Sequence, residues 1–367
     1  MENVYIARAG GISVKRNTEH KIRALLKAAG LENHISLGDL TAVKVHFGER
    51  GNDAFVPALS VAPVIDAIKD AGGKPFVTDA NTLYIGERRN AVDHAKIAAV
   101  HGFTWPVIDC PVIIADGLKG DNYRDVQIYG KHFDSVKVAA EIASADALVV
   151  VSHFKGHEVA GFGGALKNLG MGCAAVPGKR EQHTTRPYVK EDKCVTCGAC
   201  MNACPEFAIQ MGGACIEFNY EQCIGCLMCM NTCPENAIDL DWQDDGVTFI
   251  ERMIDYAAGA VANKTGKTLF INFLTNITPH CDCCMWADTP FVPDIGILAS
   301  IDPVALDKAC YDLVNNAAGV KGSLLPDHHE CGEEKFTRLW PGTNPELQFE
   351  CAEELGIGKK EYRLIEV

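Results

Sequence analysis

No apolar run in the chain approaches the roughly 18 residues that a membrane span requires. The opening residues MENVYIARAGG do not read as a secretory signal. Positive charge is also short: 34 Lys and Arg stand against 48 Asp and Glu, a formal net charge of -14. A general nucleic-acid binder needs the opposite balance. Neither nucleic acid nor membrane is therefore expected as a partner. A Walker phosphate loop is missing too, since no G-x4-G-K-[ST] occurs. These absences leave a cytoplasmic globular protein as the expectation. In 367 residues, 47% of them hydrophobic, there is material for a sizeable core and for two or three domains.

What the chain has in excess is cysteine, 17 in all. Such a number means either disulfides in a secreted chain or metal ligands and catalysts in a reducing cytosol, and spacing decides. CVTCGACMNACPEFAI starts at Cys194 and CIGCLMCMNTCPENAI at Cys223. Each cysteine of the first has a counterpart 29 positions later: 194/223, 197/226, 200/229 and 204/233. This internal duplication has the C-x2-C-x2-C-x3-C-P spacing of bacterial-type dicluster ferredoxins, in which the fourth cysteine reaches across to the other cluster. The spacing predicts two [4Fe-4S] clusters. Cys194, Cys197, Cys200 and Cys233 would hold one, and Cys223, Cys226, Cys229 and Cys204 the other. Pro205 and Pro234 turn the chain after each fourth ligand. A zinc-ribbon pair would show two separated C-x2-C pairs instead. Two clusters conduct electrons one at a time, which implies a redox partner protein.

Around this repeat the chain alternates short β-rich runs with amphipathic helical ones. NVYIAR (3–8), LTAVKVHF (40–47), KPFVTD (74–79), PVIIAD (111–116), ALVVVSH (147–153) and TLFINFLTNI (268–277) read as strands. EHKIRALLKAAG, VAPVIDAIKDAGG, AVDHAKIAAVHG, VTFIERMIDYAAGAVAN and SIDPVALDKACYDLVNNAAG read as helices. Asp302 and Pro303 are a cap and first turn. The alternation predicts an α/β fold: a largely parallel sheet with helices on both faces, interrupted by a small ferredoxin-like α+β dicluster domain. The expected divisions are 1–187 and 243–367 as two parts of the α/β domain and 188–242 as the insertion.

In such sheets ligands gather beyond the carboxyl ends of the strands, where three polar stretches fall. HFGERGN (46–52) offers His46, Glu49 and Arg50 as groups to bind or protonate a substrate, or as solvated loop residues. DANTLY spans 79–84. SHFKGHEVAGFGGALKNLGMG (152–172) carries Lys155, His157 and Lys167 among glycines, with Gly161, Gly163 and Gly164 just ahead of a helical segment. Free backbone N–H groups there suit an anion such as phosphate or carboxylate. Between 153 and 190, six Lys and Arg face only Glu158 and Glu181, a positive island in an acidic chain. Further on, TPHCDCCMW presents His280, Cys281, Asp282, Cys283 and Cys284. Alone or with His328, His329 and Cys331, these are candidates for an additional metal, or for a buried turn whose thiols merely pack. His94 and His101 read as structural. Cys110, Cys173, Cys215, Cys310 and Cys351 read as core thiols.

AVKVHFGERGN, KPFVTDANTLY, VIIADG, SHFKGHEVAGFGGALKNLGMGC and VPDIGILASIDPVALDKA resemble the DUF362 family, here with a ferredoxin-type insertion. The likeness covers essentially the whole chain and implies no settled reaction. A weaker, local likeness is to the lactate racemase family with a nickel-pincer nucleotide. In that segment a lysine follows a histidine by ten positions, and a second histidine follows by sixteen more. His157, Lys167 and His183 match both intervals. The resemblance implies His157 as acid/base, Lys167 as the anchor of a phosphate-bearing cofactor and His183 as a metal ligand. The cysteine insertion just after His183 departs from that family, which has no use for an electron wire. Three readings follow: a redox protein serving an anionic ligand near His157, Lys167 and His183; a non-catalytic electron carrier with a docking domain; and a pincer-type isomerase or cofactor-maturation protein.

Overall fold

The structure is a computed structural model that describes residues 1–11, 17–84, 86–183, 186–204, 206–223, 229, 232–241 and 246–367. Its centre is an eight-stranded sheet. The strands, in chain order, are β1 (Glu2–Arg8), β2 (Leu40–Lys44), β3 (Lys74–Asp79), β4 (Val112–Ile114), β5 (Ala147–His153), β6 (Thr268–Leu274), β7 (Gly296–Ser300) and β8 (Tyr362–Glu366). Their spatial order is β8-β1-β7-β6-β5-β2-β3-β4. Every neighbouring pair is parallel except the two made by β7, which runs against both β1 and β6. The sheet is therefore largely parallel, as the alternation predicts.

β5 lies near the middle and is buried along its whole length. Its side chains alternate between two apolar layers, as strand geometry requires. Leu148 and Val150 join one layer, and Ala147, Val149 and Val151 the other. The second layer is covered by α1 (Thr18–Ala28) and α2 (Ala58–Asp70), through Ile22, Leu25, Val61 and Ile65. α3 (Ala91–Val100) closes the same side with Ala98.

The first layer is covered by α4 (Ala165–Cys173), α5 (Val176–Gln182), α6 (Gly246–Val261) and α7 (Pro303–Asn315). α4 and α6 pack so closely that a Cβ on Gly170 would stand 2.2 Å from the Met253 carbonyl oxygen. Asp302 caps α7, accepting from the amides of Val304 and Ala305. Among the described residues no helix is long and apolar enough to cross a membrane.

The cysteine repeat folds apart from the large sheet, on two small antiparallel pairs, Arg186–Val189 with Ile238–Asp241 and Ile209–Met211 with Ile216–Phe218. Its own core gathers Cys200, Ile209, Ile216, Cys229 and Ile238. The duplication is visible in backbone detail. The Ala208 amide donates to Cys204 Sγ and the Ala237 amide to Cys233 Sγ, each at 3.2 Å. Phe207 and Asn236, also 29 positions apart, both have positive φ, 52° and 49°.

Candidate functional site

β6, β5, β2 and β3 are parallel neighbours, and the segments leaving their carboxyl ends converge. Charge pairing holds this edge together. Lys44, the last residue of β2, sits 2.9 Å from Asp79, the last of β3, and both are buried. The buried Arg88 donates to Asp79 and to Glu49, both at 3.3 Å, and to the Tyr84 hydroxyl at 2.6 Å. Burial alone would raise the Asp79 carboxyl, but Lys44 and His94 hold it well below the usual carboxylate range. Glu49 also accepts from the amides of Arg50 and Glu87, and Arg50 pairs with Glu87. These two are therefore bracing groups with their bonds made, while His94 meets Asn81 through Nδ1 and stands 3.6 Å from Asp79. His101 is bonded to the Phe47 carbonyl and stacked on Phe55.

Against this frame lies the turn 281–284. Asp282 is fully buried, 2.7 Å from His153 Nδ1 and 3.0 Å from Lys155 Nζ, and although burial alone would raise its carboxyl, these two neighbours hold it well below the usual carboxylate range. Pinning Asp282 on one side turns Cys281 and Cys283 together on the other. Cys281 donates to Cys283 with the two sulfurs 3.3 Å apart. His46 Nε2 is 3.3 Å from Cys283, while its Nδ1 accepts from the Gly48 amide. The Nε2 atom therefore carries the proton and donates to sulfur. Burial, with Arg88 nearby, drives the His46 ring down to about 3 and keeps it neutral. The Cys281 hydrogen bond, helped by Lys167, Arg88 and Tyr84, holds the Cys283 thiol well below its ordinary value.

His280 is not part of this group in its contacts. Its ring packs edge-on to Trp340 and Trp286. His328 bonds the Glu334 carbonyl, and Cys331 is exposed. Among the described residues no three His, Cys, Asp or Glu side chains are gathered for a single ion. The thiols of 281 and 283 bond each other, and Cys281 bonds Lys167.

The glycine stretch folds as a hairpin, Lys155–His157 against Gly161–Gly163, followed directly by α4. Gly156 allows the Pro279 carbonyl to come close, and Gly161 takes the left-handed turn at φ 80°. The hairpin brings His157, Lys167 and Lys155 together, and α5 delivers His183 to the same place. His157 and His183 both lie on the ring of Phe249, with centroids 6.3 and 4.9 Å away. His157 Nδ1 faces the amides of Val159 and Ala160, so its Nε2 bears the proton. Burial first, then Lys167, keeps both rings neutral: His157 well below its usual value and His183 at about 4. Lys167 donates to Cys281 at 3.4 Å, and although burial pulls its ammonium down, Cys281 and Cys283 hold it above its ordinary value. It stands as a fixed cation.

Just past Gly161, Gly163 and Gly164, the amides of Ala165 and Leu166 each donate to the buried Asp307 carboxylate at 2.8 Å. The anion-binding end of α4 is thus filled by a side chain from α7, whose approach leaves Gly164 no room for a Cβ. Lys155 and Lys167 flank Gly163, the first paired with Asp282 and the second with Cys281. Part of the positive island is structural too: Lys179 is buried on the Ala174 carbonyl, and Lys190 pairs with Asp239. Tyr84, Arg88, Phe249 and Asp307 were not singled out by the sequence. Only Tyr84, inside DANTLY, carried a local signal.

In the cysteine repeat, Cys194, Cys197, Cys200 and Cys233 line one open cavity of about 320 Å³, with Ile216 and Ile238 among its walls. Of the other set, Cys204, Cys223 and Cys229 are described, and Cys226 lies outside the described residues. Cys110, Cys173, Cys215, Cys310 and Cys351 are all buried.

The sequence profile described as "Domain of unknown function (DUF362)" matches residues 41–312. The chain belongs to the DUF362 family. Its fold is similar to that of the lactate racemase apoprotein from Thermoanaerobacterium thermosaccharolyticum, at 13% identity and a TM-score of 0.40, over 86% of this chain and 58% of that one. A Thermotoga maritima protein is similar at 9% identity and a TM-score of 0.39, over 95% of this chain and 60% of that one. This DUF362 chain thus spans less than two thirds of the length of either structure. No curated protein matches it.

Proposed function

We propose that this DUF362 protein is an iron–sulfur electron-transfer protein. Residues 188–242 would hold two [4Fe-4S] clusters and serve an anionic ligand in the pocket of Lys155, Lys167, His157 and His183. One observation carries the reading: four thiols from both copies of the repeat, Cys194, Cys197, Cys200 and Cys233, face a single cavity. The donor set fits the group, because cubane clusters are held by four cysteine thiolates. A structural zinc site would instead draw on two separated C-x2-C pairs. Cys223, Cys226, Cys229 and Cys204 would hold the second cluster. When bound, the clusters supply one-electron transfer.

The chain's own groups prepare both places. The amides of Ala208 and Ala237 stabilise negative charge on the sulfurs of Cys204 and Cys233, a lever on potential. In the pocket, Lys167 supplies fixed positive charge, while the neutral His157 and His183 supply donors that need no counter-ion. The reading includes a redox partner protein and a cytoplasmic setting, where thiols stay reduced.

The test is native mass spectrometry of protein purified without oxygen. About eight irons per chain are expected, and an iron-free chain with every cysteine alkylatable overturns the reading. A Lys167→Met variant should keep its iron and lose binding of the pocket's anion.

A further inference from the structure

Outside the cysteine repeat, two thiols stand in a relation that the proposed function leaves unused. Cys281 and Cys283 are separated by one residue, their sulfurs are 3.3 Å apart, and the intervening Asp282 is pinned by His153 and Lys155. The pair is asymmetric. Cys281 is buried, 3% exposed, and donates its S–H to Cys283. Cys283 keeps part of its surface open and faces donors from three directions: His46 Nε2–H, the Cys281 thiol and the Tyr84 hydroxyl. Donors on three sides favour the thiolate form of this sulfur.

We propose that Cys281 and Cys283 are a redox-active dithiol that exchanges with disulfide substrates, with Cys283 attacking and Cys281 resolving. The Cys283 thiolate attacks one sulfur of R–S–S–R′. That bond breaks, R′S⁻ leaves with the electron pair, and a Cys283–S–R mixed disulfide forms. Cys281 passes its proton to R′S⁻ and its sulfur attacks Cys283 Sγ, releasing RS⁻. A thiolate, a thiol and a disulfide go in; an internal disulfide, RS⁻ and R′SH come out. Two electrons have moved from the protein's sulfurs to the substrate, and an external dithiol reverses the sequence. Lys167, 3.4 Å from Cys281, offsets negative charge on the resolving sulfur as it forms. The titration of the pair agrees with these roles: its mutual hydrogen bond pushes Cys281 up to about 12 and holds Cys283 down. The proposal stands independently of the clusters, since none of its steps uses iron.

The experiment uses the full chain, purified without oxygen and equilibrated in mixtures of oxidised and reduced dithiothreitol. Thiols are then trapped with N-ethylmaleimide, and the tryptic peptide 268–308, which contains all three cysteines of the turn, is read by mass. A 281–283 bridge is expected in oxidising mixtures, with Cys284 alkylated throughout and both partners alkylated again in reducing ones. Three alkylated thiols at every ratio, or a bridge that uses Cys284, overturns the proposal. With 5,5′-dithiobis(2-nitrobenzoate) as the disulfide, Cys281→Ser should retain the thionitrobenzoate adduct on Cys283, and the unmodified chain should shed it as the bridge closes. An adduct on Cys283 that persists with Cys281 present also refutes resolution. The dithiothreitol measurement needs no variant, so a substitution that fails to fold leaves the test intact.

Discussion

Replacing Asp307 by Ala tests whether the glycine stretch is held from within. One carboxylate oxygen accepts from the Ala165 amide at 2.8 Å and from Asn272 Nδ2 at 2.6 Å; the other accepts from the Leu166 amide at 2.8 Å. Truncation strands three buried donors, at about 1–3 kcal/mol each, on the order of 6 kcal/mol together. Set against this, burial pushes Asp307 up to about 6 from 3.8, so a charged carboxylate there costs roughly 3 kcal/mol at pH 8, which the truncation recovers. The net loss is about 3 kcal/mol, read as a lower urea midpoint by tryptophan fluorescence. The raised value also gives a sign. Between 3.8 and 6 the folded chain keeps a proton that the unfolded chain has released, so stability from this group falls as pH rises through that window and levels off above it. Relative to Asp307→Asn, the unmodified chain should gain about 1.4 kcal/mol on going from pH 8 to pH 5. Asp307→Ala unfolding within about 0.5 kcal/mol of the unmodified chain, outside the range of a buried lost bond, would refute the argument that this carboxylate occupies the end of α4.

Cys197→Ala should lower the iron of anaerobically prepared protein from about eight to about four per chain, because each set of four thiolates holds its own cluster. Gly170→Ala puts a Cβ 2.2 Å from a backbone oxygen of α6 that cannot swing away, and should cost at least about 2 kcal/mol in urea unfolding. Gly163→Ala meets the flexible stems of Lys167, at 3.1 Å, and Lys155, at 3.6 Å, and should cost under about 1 kcal/mol. His183 titrates at about 4 instead of 6.5, so the stability it contributes is present above 6.5 and lost as pH falls toward 4. Between pH 8 and pH 5 a His183→Gln variant should lose about 1–2 kcal/mol less than the unmodified chain.

The strands were legible where burial is complete and the composition is β-branched. KPFVTD and ALVVVSH end at the residues where β3 and β5 end. The reversal of β7 was not legible, because the apolar run GILAS carries no mark of direction and its two neighbours decide it. In the site, the meeting of His157, Lys167 and His183 could be anticipated only through the resemblance of one segment to lactate racemases. Cys281 and Cys283 stood out in the sequence as metal ligands or packed thiols, and their relation as donor and acceptor was not legible there. Asp307 shows why the rest was hidden. A helix N-terminus after glycines reads as free from its own segment, and the group that fills it comes from 142 positions away.

α6 begins at Gly246, just past the cysteine repeat, and by Phe249 it already forms the floor beneath both imidazoles. A helix advances about 100° per residue. Adding or deleting one residue at that exit, with the helix free to shift in register, would swing the floor away from His157 and His183 and put another side chain in its place. The register in which the chain enters α6 at Gly246 therefore sets which side chain lies beneath the two imidazoles.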